Sequence, residues 1–218
     1  MSANSPFVLF EACVESMAEA VAAERGGAGR IELCVDLAID GTTPPAAMIG
    51  EVCRAVKIPV MVLVRPRGGD FHYSPHEVSA MCEDIGRARS LGAAGVVIGA
   101  LAADGGIDRA VTECLVKAAR PMSITFHRAF DVVPDRIVAL ETLIALGVDR
   151  VLTSGGATTA EVGVPELTRL VERAAGRIGI LAGGRVRAEN VGAIVQATGV
   201  REVHAHTDAA AMLKALRR

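Results

Sequence analysis

The sequence predicts an α/β fold, a single-domain (β/α)8 TIM barrel over residues 1–218, on three observations. Short runs rich in Val, Ile and Leu alternate from end to end with longer Ala/Leu/Glu/Arg-rich segments of helical period, the pattern of repeated βα units around a parallel sheet. Eight such runs can be drawn, the number that closes this kind of barrel. Four segments also share one design: GAGRI at 27–31, GAAGV at 92–96, GVDRV at 147–151 and GVREV at 199–203 each place a helix-ending glycine ahead of an even-numbered strand. An open doubly wound sheet is the rival, but no G-x-G-x-x-G follows the first strand.

Taken in order, the strands are expected over residues 7–12, 30–34, 59–65, 95–99, 122–127, 149–153, 178–182 and 202–206. After the first strand, Ser16 and Glu19 have capping-box spacing, which opens a helix. After the second, Thr43 ahead of Pro44 marks the next helix start. The third run, IPVMVLVRP, echoes the fifth, RPMSITFHR, with Arg65 and His127 in corresponding places. Between them Ser74, Pro75 and Glu77 form a second capping signature. The sixth strand runs into TSGG at 153–156 and the seventh into AGGR at 182–185. The eighth carries His204 and His206 into a short last helix.

Composition narrows the function classes. Hydrophobic residues make up 51% and charged residues 22%, and no apolar run reaches the ~20 residues of a membrane span. The first residues, MSANSPF, lack a basic region and an apolar stretch, so the expected location is the cytoplasm. Net charge is −2 without a Lys/Arg cluster, which argues against nucleic acid and anionic membrane as partners. Five cysteines, none in CxxC spacing, fit neither a disulfide framework nor a structural zinc site.

Side chains alternate across a strand, so one parity packs on the helices while the other enters the barrel. If Ile31 and Leu33 face the helices, Glu32 and Cys34 point inward; if Ile124 and Phe126 do, Ser123, Thr125 and His127 point inward. The same parity turns Glu11, Cys13, Arg65 and His204 toward the lumen. Charge inside a barrel is costly unless paired. Glu11, Glu32, Arg65, His127 and His204 thus make either a self-satisfied polar plug or a catalytic site at the end of the barrel where such sites lie. In the catalytic reading, Glu11 or Glu32 is the general base, His127 or His204 the acid, and the substrate a small anionic or phosphorylated metabolite handled by a lyase, isomerase or hydrolase.

Two loops offer anion contacts. RPRGGDFHYS at 65–74 combines Arg65 and Arg67 with a glycine pair, and serves either as an anion loop or as a tight turn in which Asp70 pairs with Arg67. Ser154, Gly155, Gly183 and Gly184 bring small residues to two adjacent strand ends, as backbone anion binding requires. Arg128 is expected to pair with Asp131. A soft-metal set is also on offer: Cys13 and Cys34 near the ends of strands one and two, with His204 and His206 on strand eight, which closes against strand one. The plain alternative is that the two thiols fill a crowded rim.

EACVES at 11–16, GRIELC at 29–34, RPRGGDFHYS at 65–74, TFHRAFD at 125–131, RVLTSGG at 150–156, RAEN at 187–190 and EVH at 202–204 together resemble the CutC family over nearly the whole chain. The resemblance implies a cytoplasmic TIM barrel concerned with copper homeostasis, homo-oligomeric as a dimer or tetramer. It also implies Cu(I) as ligand, with Cys13 and Cys34 as the thiol donors and Glu11, Glu32, Arg65, His127 and His204 as the family's polar pocket.

Overall fold

The structure, a computed structural model, describes residues 7–217. Eight parallel strands pair in sequence order and close, β1 against β8, into a barrel. They are β1 (Leu9–Val14), β2 (Arg30–Leu33), β3 (Val60–Leu63), β4 (Gly95–Ile98), β5 (Ser123–Phe126), β6 (Arg150–Thr153), β7 (Gly179–Ala182) and β8 (Glu202–Ala205). The surrounding helices are α1 (Met17–Arg25), α2 (Ala46–Ala55), α3 (Pro75–Ser90), α4 (Arg109–Ala119), α5 (Arg136–Ala145), α6 (Val164–Ala174), α7 (Val191–Thr198) and α8 (Ala209–Leu216). Short 3-10 turns follow β2, at Leu37–Ile39, and β5, at Arg128–Val132.

The parity predicted from sequence is the parity observed. Ile31, Leu33, Val60, Val62, Ile124, Phe126 and their counterparts pack outward against the helices in the main core. Cys13, Cys34, Met61, Leu63 and Val97 form a separate cluster inside the barrel. Each fully buried Leu, Ile or Phe of the outer layer contributes roughly 1.5–3 kcal/mol relative to exposure, so register is fixed by this layer. A slip of one residue would turn Glu32 into the helix layer.

The four glycines that precede even strands have a common physical reason. Gly27, Gly92, Gly147 and Gly199 have φ of 93°, 95°, 76° and 72°, the left-handed backbone that ends a helix and that side chains resist.

Several boundaries shift. The first strand runs to Val14, which puts Cys13 within it, whereas the third stops at Leu63 and leaves Arg65 in the following loop. Cys34 and His127 stand one residue past their strands. The Ser74–Glu77 capping box with Pro75 forms as expected. At α1 only half of it does: Ser16 accepts from the Glu19 N–H, while the Glu19 carboxylate accepts from the Glu15 N–H. Thr43 does not cap α2, which begins at Ala46; its hydroxyl accepts from the Arg65 N–H instead.

Candidate functional site

The inward residues stack in two layers. In the deeper one, strand starts bring Arg30, Arg150 and Glu202 beside Glu11. Arg30 Nε donates to Glu11 and its Nη2 to Glu202, and Arg150 stands 3.2 Å from Glu202 while donating to Ser123 Oγ at 2.9 Å. Sequence reading missed all three charged partners because it looked for polar residues near strand C-terminal ends. The signal was present: Arg30 lies two before Glu32 and Glu202 two before His204, at the same parity.

Above this layer β1, β2 and β8 bring together Cys13, Glu32 and His204. The pairing of Cys13 with Glu32 and of Glu11 with His204 across adjacent strands sets the arrangement. One donor atom from each of Cys13, Glu32 and His204 lies within 4.8 Å of the others. His204 Nδ1 donates to Glu11 Oε1 at 2.8 Å and stands 3.8 Å from Glu32 Oε2. The Cys13 and Cys34 sulfurs are 3.6 Å apart. Cys34, two residues past Glu32, the partner of Cys13 in the strand register, is fully buried.

Environment divides the two carboxyls. Burial favours the neutral form of Glu11, but the His204 hydrogen bond and the Arg30 charge override it and hold the group at about 2. Glu32 has no such partner. Burial, with Glu11's charge adding and His204's opposing, pushes it to about 7, and its Oε2 has no hydrogen bond among the described residues. His204 is lowered by burial yet raised on balance by the two carboxylates. The Cys13 thiol is pushed up by its contact with Cys34, by burial and by Glu32. Glu11 is therefore an anchor for His204, and Glu32 is the carboxyl able to exchange a proton near neutrality.

A cavity of about 910 Å³ opens over these groups and is lined by Cys13, Glu32, Arg65, His127 and His204 among others. Glu11 lies below it. His127 is buried on the opposite side, and Gly99 makes room for it, since a Cβ at that position would run into the imidazole. Burial and the Arg65 charge push His127 down to about 3. Both causes favour its neutral form.

The anion contacts read from sequence are mostly consumed within the chain. Arg67 pairs with Glu77 at 2.6 Å and Asp70 at 3.1 Å, the tight-turn alternative, and lies outside the cavity. Asp131 acts as an internal anion for the TSGG loop, accepting from the N–H of Ser154 at 3.0 Å and of Gly156 at 3.0 Å. Gly155 donates to Thr153 Oγ1 and Gly183 to Thr153 O. Arg128 pairs with Asp131 at 2.8 Å, as expected. Of that set, Gly184 and Arg65 line the cavity. His206 lies one residue beyond β8, exposed at the rim and apart from the Cys13–Glu32–His204 group.

The CutC family model matches residues 8–209. The chain belongs to the CutC family. This CutC chain is 50% identical over 196 residues to the copper homeostasis protein cutC homolog of Mus musculus, covering 90% of the chain and 72% of that relative. It is equally, 50%, identical over 199 residues to a family protein CutC of Bacteroides fragilis, covering 90% and 78%. The crystal structure of CutC from Streptococcus agalactiae superposes with a TM-score of 0.88 at 37% identity, covering 92% of this chain and 99% of that one. An aldolase, QR15, shares the barrel at a TM-score of 0.73 but only 16% identity, which speaks for fold alone.

Proposed function

We propose that the chain serves copper homeostasis by binding Cu(I) as cargo at the end of β1, β2 and β8. The observation that carries this reading is the convergence of the Cys13 thiol with an imidazole and a carboxylate oxygen unpartnered among the described residues, with the Cys34 sulfur 3.6 Å from that of Cys13. Thiolate and imidazole are the donors that monovalent copper selects. Cys13, Cys34 and His204 are the proposed ligands, Glu32 the adjoining carboxylate, and His206 a rim imidazole on the way in. The relatives' printed names support the same role.

The chemistry of the pocket sets the pH dependence. Metal binding requires the Cys13 thiol to lose its proton, and that thiol sits above its ordinary range. Affinity should rise with pH as the thiol proton is more easily displaced. A competition titration with a Cu(I) chelator tests the assignment. Wild-type protein is expected to outcompete the Cys13→Ser, Cys34→Ser variant and to bind more tightly at pH 8 than at pH 6; equal affinity of the two proteins would sink it.

The reading includes a cytoplasmic location, where copper is monovalent, and no described helix is long and apolar enough to cross a membrane. It also includes self-association as a dimer or tetramer. The exposed Val132, Val138 and Val162 are among the apolar side chains available for it.

A further inference from the structure

In the loop that follows β3, next to the end of β2 where Cys34 stands, a buried cation has no anion to answer it among the described residues. The other deeply buried guanidinium, Arg30, is met by the carboxylates of Glu11 and Glu202. Arg65, only 3% exposed, is met by neutral carbonyls. Its Nη1 donates to Ile39 O at 2.9 Å and Gly41 O at 2.8 Å, and its Nη2 to Gly69 O at 3.0 Å. Carbonyls orient a guanidinium without cancelling its charge, and a buried charge without a counter-charge is destabilising by several kcal/mol. These bonds leave two N–H groups, and the one on Nε is buried with no partner among the described residues.

A second donor without a partner lines the same cavity. His127, 6% exposed, accepts the Ala129 N–H on Nδ1 at 3.1 Å. A neutral imidazole that accepts on one nitrogen carries its proton on the other, and Nε2 is unpartnered among the described residues. Phe71 joins the two groups: its ring centroid is 5.0 Å from that of His127 and 5.1 Å from Arg65 Cζ. The floor here therefore offers two N–H donors, one aromatic wall and one uncancelled positive charge.

We propose that Arg65 Nε–H and His127 Nε2–H form a binding site for the carboxylate of a small organic acid, separate from the thiol group on β1, β2 and β8. A carboxylate brings acceptor oxygens for both donors and the single negative charge that Arg65 lacks. A phosphate group, with a charge of up to −2, brings more negative charge than the single uncancelled charge of Arg65 answers. The remainder of the acid extends into the mouth along Leu63, Leu152 and Val186, in a cavity whose volume suits a small ligand.

The probe is pyruvate, with inorganic phosphate alongside, followed by calorimetry and by the imidazole NMR signals of His127. Pyruvate is expected to shift those signals and to bind with a Kd of about 1 mM, at least about tenfold more tightly than phosphate. His127→Asn retains an acceptor for the Ala129 N–H, because Asn is a good cap at such a turn, but removes the ring donor. It should weaken pyruvate about tenfold. Arg65→Lys keeps the charge without the planar fork and should weaken it as well. The Cys13→Ser, Cys34→Ser variant should bind pyruvate as the wild type does, so that failure here and failure of the copper reading are told apart. The proposal is overturned if pyruvate leaves the His127 signals unmoved at millimolar concentration, if folded His127→Asn binds it unchanged, or if phosphate binds more tightly. Should His127→Asn not fold, the wild-type shifts and the ranking of the two anions decide.

Discussion

Glu11 and Glu32 are the same side chain given opposite tasks by their neighbours. Glu11 meets Arg30 and His204 and stays ionised to about pH 2; Glu32 meets no hydrogen-bond donor among the described residues and is pushed up to about 7. Replacing Glu11 with Gln removes the negative charge from between Arg30 and His204, and loss of one partner from a buried ion pair costs about 3–5 kcal/mol. Urea denaturation of Glu11→Gln should show that loss, and the His204 imidazole should titrate at lower pH than in the wild type. At this scale the sequence was informative where parity applied. Alternation alone turned Glu11, Glu32, Cys13 and His204 inward. It could not reveal that Arg65 is held by the carbonyls of Ile39, Gly41 and Gly69, because those atoms belong to loops whose path no residue pattern specifies. The TSGG loop misled for a related reason. Small residues do mark a loop of free backbone donors, but the anion they hold is Asp131 of the same chain, a contact across 22 or more positions.

The strand-to-helix units differ in how firmly their start signals are written. At α3, Ser74 accepts from the Glu77 N–H, and Glu77 returns the bond to the Ser74 N–H while also pairing with Arg67. One side chain thus ties the helix start to the loop after β3. Ser74→Ala is expected to lower stability by about 1 kcal/mol, read as a lower urea midpoint with an unchanged slope; no change in midpoint would mean that Arg67 and Glu77 hold the turn unaided. Short strands explain why predicted ends ran long. Arg65 and His206 continue the inward parity of β3 and β8, but pairing stops at Leu63 and Ala205, and beyond that point alternation no longer dictates where a side chain goes. Arg65 nonetheless reaches the cavity, whereas His206 stands exposed at its rim. The helix-ending glycines were fully legible because left-handed backbone is a demand on one residue, independent of distant contacts.

For the whole molecule, closure of β8 against β1 is what assembles the site, since it brings His204 to Glu11 across 193 positions. The buried charges then shape stability against pH. Glu11 and His127 have depressed values, so the stability they contribute is present above about 4.5 and 6.5 respectively and is lost as pH falls toward about 2 and 3. Glu32 works in the opposite sense: its value is raised, so its contribution is present below about 4.5 and is lost as pH rises through about 7. Between pH 4.5 and 6.5 these effects oppose one another, and below 4.5 Glu11 and His127 act together. Urea midpoints should fall steeply below pH 4.5, with a shallower fall in His127→Asn. Glu32→Gln should leave the His127 effect unopposed, so that its urea midpoint rises more steeply than the wild type's between pH 4.5 and 6.5.

The central claim is that the ends of β1, β2 and β8 form a Cu(I) site. Its most direct test is a crystal exposed to Cu(I) under reducing conditions, with anomalous scattering recorded at the copper edge. The account predicts one dominant peak bonded to the Cys13 and Cys34 sulfurs and within reach of His204, absent from the Cys13→Ser, Cys34→Ser protein. A wild-type crystal with no copper at these sulfurs, or with its main peak elsewhere on the chain, would contradict it.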